Sequence, residues 1–161
     1  MVQIAAYAGG CAGVTPEEAR CRADELHRLA AFYQDLFGCV LVPPERDYHG
    51  EQLDAGTGLH GARLQGAHLR LPGYGDEGPT LEVYSYGTLE PRPKTAVNRP
   101  SYGPVAFGVD DVAAARTAVL DAGGCAVGEV VTLTTAPGTK VTWCYVTDPE
   151  GNIIELQSWS R

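Results

Sequence analysis

No apolar run in the chain approaches the roughly 20 residues that a bilayer-spanning helix needs, and its Lys and Arg residues form no cluster. The first absence argues against a helical membrane anchor. The second argues against nucleic acid and against an anionic membrane surface, because both need a basic face. The balance is acidic, with 12 basic and 20 acidic side chains and a formal net charge of −8. A basic n-region and a full apolar h-region are also missing at the N-terminus, so no signal peptide is expected. The five cysteines, Cys11, Cys21, Cys39, Cys125 and Cys144, are odd in number and scattered, with no CxxC. That pattern supports neither a zinc knuckle nor a disulfide framework, and it fits reduced thiols in a cytoplasmic protein. No GxSxG, P-loop or GxGxxG motif is present, which leaves nucleophilic-serine and nucleotide chemistry without a signature.

What is present is a chain of 161 residues, long enough to bury a real core, and organised around Asp148-Pro149-Glu150-Gly151. This is turn chemistry: proline fixes φ at the second position, and glycine supplies a positive φ where the chain re-enters a strand. The flanking runs, Lys140 to Val146 and Ile153 to Gln157, are β-branched and aromatic and read as a hairpin. Glu155 stands among Ile153, Ile154 and Leu156. A carboxylate in an apolar strand needs a partner, a ligand or a solvated cavity, unless it points outward from an edge.

In chain order, Val2 to Ala8 reads as a strand and Gly9 to Val14 as a loop. Thr15-Pro16-Glu17-Glu18 reads as a helix start, with an N-cap Thr and Pro at the first helical position. Ala19, Ala23, Leu26, Ala30, Tyr33 and Phe37 then follow at helical spacing up to Gly38. A rival parse makes Ala19 to Ala23 the first strand and starts the helix near Glu25. Cys39 to Val42 is predicted as a short strand and Pro43 to Gly61 as a loop holding His49 and His60. Ala62 to Leu71 and Thr80 to Tyr86 are predicted strands. Pro91 to Pro100, with three prolines, reads as a linker between modules at 1–90 and 101–161. The second half repeats the order: strand Val105 to Val109, helix Asp111 to Ala122, a strand within Cys125 to Leu133, and the closing hairpin.

The halves correspond. Gly38-Cys39 matches Gly124-Cys125 at an offset of 86 residues, and Leu81-Glu82-Val83 matches Ile154-Glu155-Leu156. A duplicated glutamate favours a shared cleft over coincidence.

These segments carry a resemblance. Phe32-Tyr33-x-x-x-Phe37-Gly38, Leu81-Glu82-Val83, Tyr102-Gly103-Pro104-Val105-Ala106-Phe107-x-Val109-Asp110-Asp111 and Asp148-Pro149-x-Gly151-Asn152-x-Ile154-Glu155-Leu156 together resemble the vicinal oxygen chelate superfamily, the group of glyoxalase I, extradiol dioxygenases and bleomycin resistance proteins. The resemblance implies an α+β fold of two βαβββ modules forming curved mixed sheets around an open cup, often in a homodimer. It also implies four metal ligands in catalytic members, one from the first and one from the last strand of each module. Glu82 and Glu155 match the last-strand pair. The usual histidines are missing: Pro104 stands at one position, and Gln3 (or Glu18 under the rival parse) at the other.

Two carboxylates without imidazole suit at most a weakly held Mg²⁺, Mn²⁺ or Ca²⁺, or no cofactor. Like charges in an apolar cup raise at least one pKa, which suits a pair that passes a proton. The expectation is therefore a small-molecule enzyme of isomerase, lyase or cyclase type with Glu82 and Glu155 catalytic. The alternative is a binding protein that sequesters a drug or metabolite, with Tyr84, Tyr86, Tyr102, Trp143 and Tyr145 as aromatic walls. His68, on a strand face with Ala62, Leu64, Gly66 and Arg70, is the spare imidazole directed at the cavity. His27 is expected in solvent, and Cys39 and Cys125 are expected to pack at strand starts.

Overall fold

The structure is a computed structural model that describes residues 3–7, 16–100, 103–136 and 138–160, with side chains described from Asp24 onward. The chain divides into two compact units, Met1–Arg92 and Pro93–Arg161, and each carries an open mixed sheet backed by a helix. The predicted Gly9 to Val14 loop and the Thr15 cap lie outside the described residues.

In the first unit the elements are β1 (Gln3–Tyr7), α1 (Pro16–Phe37), β2 (Val40–His49), α2 (Glu51–Thr57), β3 (Arg63–Arg70) and β4 (Thr80–Tyr86). The first strand is therefore at Gln3–Tyr7, and residues 19–23 of the rival parse are helical. The strand order is β1-β4-β3-β2, with β1 parallel to β4 and the other pairs antiparallel. Alternation sorts the sheet into two faces. Leu81 and Val83 on β4 and Ala67 and Leu69 on β3 are buried and stand opposite one another. This face packs on α1, whose Leu26, Leu29, Ala30 and Tyr33 are buried at i, i+3, i+4, i+7 spacing, with Phe32 buried beside them. Glu82, Tyr84 and Tyr86 take the alternate positions and belong to the other face.

The predicted loop Pro43 to Gly61 requires correction. The strand begun at Val40 continues to His49, and the ladder with β3 skips only the residues between Val42 and Arg46, where the register shifts. Two consecutive prolines cannot donate to a ladder, so the strand bulges past them and resumes. Glycines that read as loop are the ends of α2: Gly50 and Gly58 flank it with φ of 98° and 71°. The Asp54 carboxylate on α2 accepts from the Gly61 and Ala62 amides and so ties the helix to the start of β3.

The second unit contains β5 (Val105–Gly108), α3 (Val112–Asp121), β6 (Cys125–Ala126), β7 (Val131–Thr134), β8 (Lys140–Thr147) and β9 (Ile153–Ser160). Both β6 and β7 pair with β8, so the one strand predicted within Cys125 to Leu133 is two short pieces. The order otherwise matches the first unit, with β5 parallel to β9 and β8 antiparallel to it. Asp111 caps α3 by accepting from the Ala114 amide at 3.0 Å, and Ala122, expected inside the helix, is its exposed C-cap. Val112 and Val119 of α3, Cys144 and Val146 of β8, and Ile154 and Leu156 of β9 are buried.

The repeat is shifted by one residue at the helix ends. Gly38 ends α1 with φ 67°, and its α3 counterpart in conformation is Gly123, with φ 92°, not Gly124. The Gly123 and Gly124 amides donate to Leu120 O and Val119 O, the bonding of a Schellman cap. Gly124 is needed for a different reason: a Cβ there would collide with the Thr147 carbonyl and the Val119 side chain. Cys39 is buried as expected, whereas Cys125, on the two-residue edge strand β6, is exposed.

In the closing hairpin the Gly151 amide donates to Asp148 O at 3.0 Å and Gly151 has φ 82°, as the Asp-Pro-x-Gly motif predicts. The buried Asp148 carboxylate accepts from the Glu150 amide and from both nitrogens of Asn152. Among the described residues no helix is long and apolar enough to cross a membrane.

Candidate functional site

Glu82 is placed by β4, directly opposite His68 on β3 and level with Ala5 on β1. Its side chain is only 11% exposed and that of His68 16%, with His68 Nε2 3.5 Å from Glu82 Oε1. Two residues further along β4, Tyr84 lies opposite Gly66. A side chain at Gly66 would collide with the Tyr84 ring. The bare glycine therefore lets the ring lie across β3, and it reaches His68, with Tyr84 Oη 3.0 Å from His68 Nε2. The two rings meet edge to face with centroids 6.0 Å apart.

Arg46 completes the group. It resumes the β2 ladder just after the bulge, opposite Gly66, and its Nη2 is 3.2 Å from His68 Nδ1, while Nη1 donates to Val42 O at 3.5 Å. The sequence reading missed Arg46 because it assigned that segment to a loop, and a loop residue has no face. The findable signal was the alternation of Arg46 and Tyr48 against Asp47 and His49, which is strand-like once the prolines are read as a bulge.

The electrostatics follow from burial. Desolvation holds the His68 imidazole below its ordinary pKa, Arg46 adds to that, and the Glu82 carboxylate pulls the other way without prevailing. The Tyr84 hydroxyl is pushed up to about 12, first by burial and then by Glu82 acting as hydrogen-bond acceptor and as charge. Near neutral pH the group thus holds an uncharged imidazole and a protonated phenol beside a carboxylate. A stability consequence follows. The folded pKa of His68 lies below its unfolded value of 6.5, so above 6.5 neither state holds the proton. As pH falls below 6.5, the unfolded chain takes up a proton that the folded chain resists, and stability declines until the folded pKa is passed. Urea midpoints measured at pH 7.5 and pH 5 are expected to fall more for wild type than for His68→Gln. Equal falls would contradict the assignment.

In the second sheet Glu155 occupies the equivalent place, opposite Tyr145 on β8 and level with Ala106 on β5. Its side chain is half-buried, and among the described residues it has no hydrogen-bond or ion-pair partner. Trp143 and Tyr145 are neighbours on the same face of β8, their rings edge to face at 5.0 Å, and among the described residues the buried Trp143 Nε1 has no hydrogen-bond acceptor. Tyr86 is half-buried opposite Leu64. Tyr102 lies outside the described residues. Pro104 is exposed immediately before β5, and Gln3 stands level with Thr80.

The other histidines lie elsewhere. His27 is exposed and bonds Glu45, His60 is fully exposed, 3.6 Å from Asp54, and His49 ends β2 rather than lying in a loop. Burial raises the thiol pKa of Cys39 to about 11 and also raises that of Cys144, which makes both poor nucleophiles. Among the described residues, no three His, Cys, Asp or Glu side chains converge as a metal-binding group.

The fold matches solved structures. A glyoxalase family protein from Bacillus cereus is similar over 100% of this chain and 94% of its own, with a TM-score of 0.74 and 21% identity. A glyoxalase I mutant from Zea mays is similar over 97% of this chain and 44% of its own, with a TM-score of 0.57 and 21% identity. A glyoxalase/bleomycin resistance protein from Albidiferax ferrireducens covers 98% of both chains, with a TM-score of 0.51 and 15% identity. Comparison with curated protein sequences found no match. The model of one family matches residues 17–156. With that match, and with a helix-backed mixed sheet in each half, the chain belongs to the Glyoxalase/Bleomycin resistance protein/Dioxygenase superfamily.

Proposed function

We propose that the protein is a small-molecule enzyme of isomerase, lyase or cyclase type that works by proton transfer, with Glu82 as the base. The observation that carries this reading is the placement of His68 Nε2 3.0 Å from Tyr84 Oη and 3.5 Å from Glu82 Oε1. The Glu82 carboxylate, largely screened from water and within reach of an imidazole and a phenol, is positioned to take a proton from a bound substrate. The Tyr84 hydroxyl, protonated to about pH 12, is placed to return a proton or to donate to a developing oxyanion. Glu155, in the matching register of the second sheet, is the second acid of the reading, as Glu82 is the first.

The residues around Glu82 do not fit a divalent metal. The groups that approach it or its partner His68 are a guanidinium, which repels a cation, and a phenol that keeps its proton. Ala5 and Ala106 stand level with the two glutamates and bring no ligand. No step is therefore routed through a metal. The reading also includes a homodimer in the cytoplasm, the compartment being supported by the free thiols of Cys39, Cys125 and Cys144.

A second reading, sequestration of a planar drug or metabolite, is favoured by the Trp143–Tyr145 pair and by a Trp143 Nε1 that finds no acceptor among the described residues. One experiment separates the two. The protein is incubated in D₂O with a mixture of small carbon acids (1,3-dicarbonyls, α-hydroxyketones, acyl thioesters), and the mixture is analysed by mass. Proton transfer is expected to add deuterium to, or otherwise alter, at least one compound. A compound retained by the protein and returned unchanged, with no exchange in any other, would replace the enzyme by the binder.

A further inference from the structure

The contact between Arg46 and His68 determines which way the hydrogen bonds run. A guanidinium has five N–H donors and no acceptor, and it stays protonated in proteins. The nitrogen that faces it 3.2 Å away, His68 Nδ1, must therefore be the bare one. An imidazolium cannot make this contact, because both of its nitrogens carry protons. From this geometry we infer that Arg46 is a positioning residue that locks His68 in the Nε2–H tautomer. The ring then donates toward Tyr84 and Glu82 and cannot take a proton from substrate.

The direction then continues. Nε2–H lies 3.0 Å from Tyr84 Oη and so donates to it, which turns the phenol hydrogen away from the ring and toward Glu82, the carboxylate that acts on the Tyr84 hydroxyl as acceptor. The chain reads Arg46 to His68 to Tyr84 to Glu82, each a donor to the next, and the carboxylate at its end is the one member basic enough to take an incoming proton. His68 is thereby excluded as the general base, although it is the imidazole of the group and the residue whose chemistry most suggests one. Charge is balanced as well: one guanidinium, one carboxylate and two neutral groups. Among the described residues, Val42, its β2 partner, and the Tyr84 ring also stand beside His68.

The catalytic meaning of this lock rests on the proton-transfer reading, but the lock is a property of the protein alone and is tested without substrate. Histidine-selective ¹⁵N labelling of the full chain, with long-range ¹H–¹⁵N correlation at pH 7.5, reports which ring nitrogen carries the proton. His68 is assigned by the signal lost in His68→Gln. The expected result is a single Nε2–H form in wild type. Arg46→Lys, a donor without an acceptor, is expected to retain it. Arg46→Glu, which offers an acceptor instead, is expected to move the proton to Nδ1 or to leave the ring doubly protonated. A wild-type His68 protonated on Nδ1 would overturn the inference whether or not any variant folds, as would an Arg46→Glu spectrum identical to wild type. If the deuterium-exchange experiment fails while the tautomer is as stated, the enzyme reading falls and the lock stands.

Discussion

Glu82→Gln is expected to lower kcat by about 100- to 10,000-fold, the range for loss of a positioned general base, while shifting Tm by no more than about 2 °C. The amide keeps the shape of the carboxyl and its oxygen can still accept from Tyr84 and His68, so the fold loses little. What is lost is the basicity that takes the proton, since an amide oxygen is not protonated near neutral pH. Thermal unfolding followed by circular dichroism, with turnover measured on whichever compound exchanges deuterium, checks both halves. If turnover survives the change, Glu82 is not the base.

The complementary result is expected one residue earlier. Leu81 is on the same strand, fully buried against α1, and Leu81→Ala removes core volume that its neighbours only partly refill. The loss is about 2–5 kcal/mol of stability, a fall in Tm of roughly 5–15 °C for a chain of this length. At a temperature where the variant is still folded, kcat is expected to stay within about threefold of wild type, since the substitution lies on the opposite face from Glu82 and costs about half a kcal/mol or less there. A large loss of kcat without a loss of Tm would mean that the two faces of β4 are not separable as described. The pair of variants turns the alternation of one strand into two independent measurements.

That alternation is why much of the fold was legible in the residues. Leu81-Glu82-Val83 and Ile154-Glu155-Leu156 show a charged residue between apolar ones, and a period of two leaves only one way to place them when one sheet face is covered by a helix. The Asp148 turn and the α1 stripe of Leu26, Ala30 and Tyr33 were readable for the same reason: local chemistry and local period agree there.

The reading failed where the local signal and the tertiary outcome differ. Pro43, Pro44 and the glycines up to Gly61 have the composition of a loop, yet pairing to β3 carries β2 through them to His49 and Gly50 opens a helix. Arg46 could not be assigned a role without that pairing, since its partner His68 is 22 residues away in sequence. Glycine identity also misled the repeat. Gly38 and Gly124 match by letter, but Gly123 shares Gly38's positive φ, and Gly124 is small because a carbonyl passes close by. One-letter agreement cannot separate those two requirements, and backbone conformation can.

The bulge in β2 has a further consequence for how the protein behaves in a crowded solution. This strand is the outer member of its sheet, where an exposed ladder invites a strand from another molecule. Residues 43 and 44 have no amide hydrogen to offer, and Glu45, Arg46 and Asp47 follow them with charge, so a visiting strand would meet a broken template. The second unit has no such interruption within β7, whose Val131 and Leu133 are 40% and 51% exposed. Protection against sheet-to-sheet aggregation is thus built into the strand that also supplies Arg46. A proline removed there to smooth the strand would put both solubility and the orientation of the imidazole at risk.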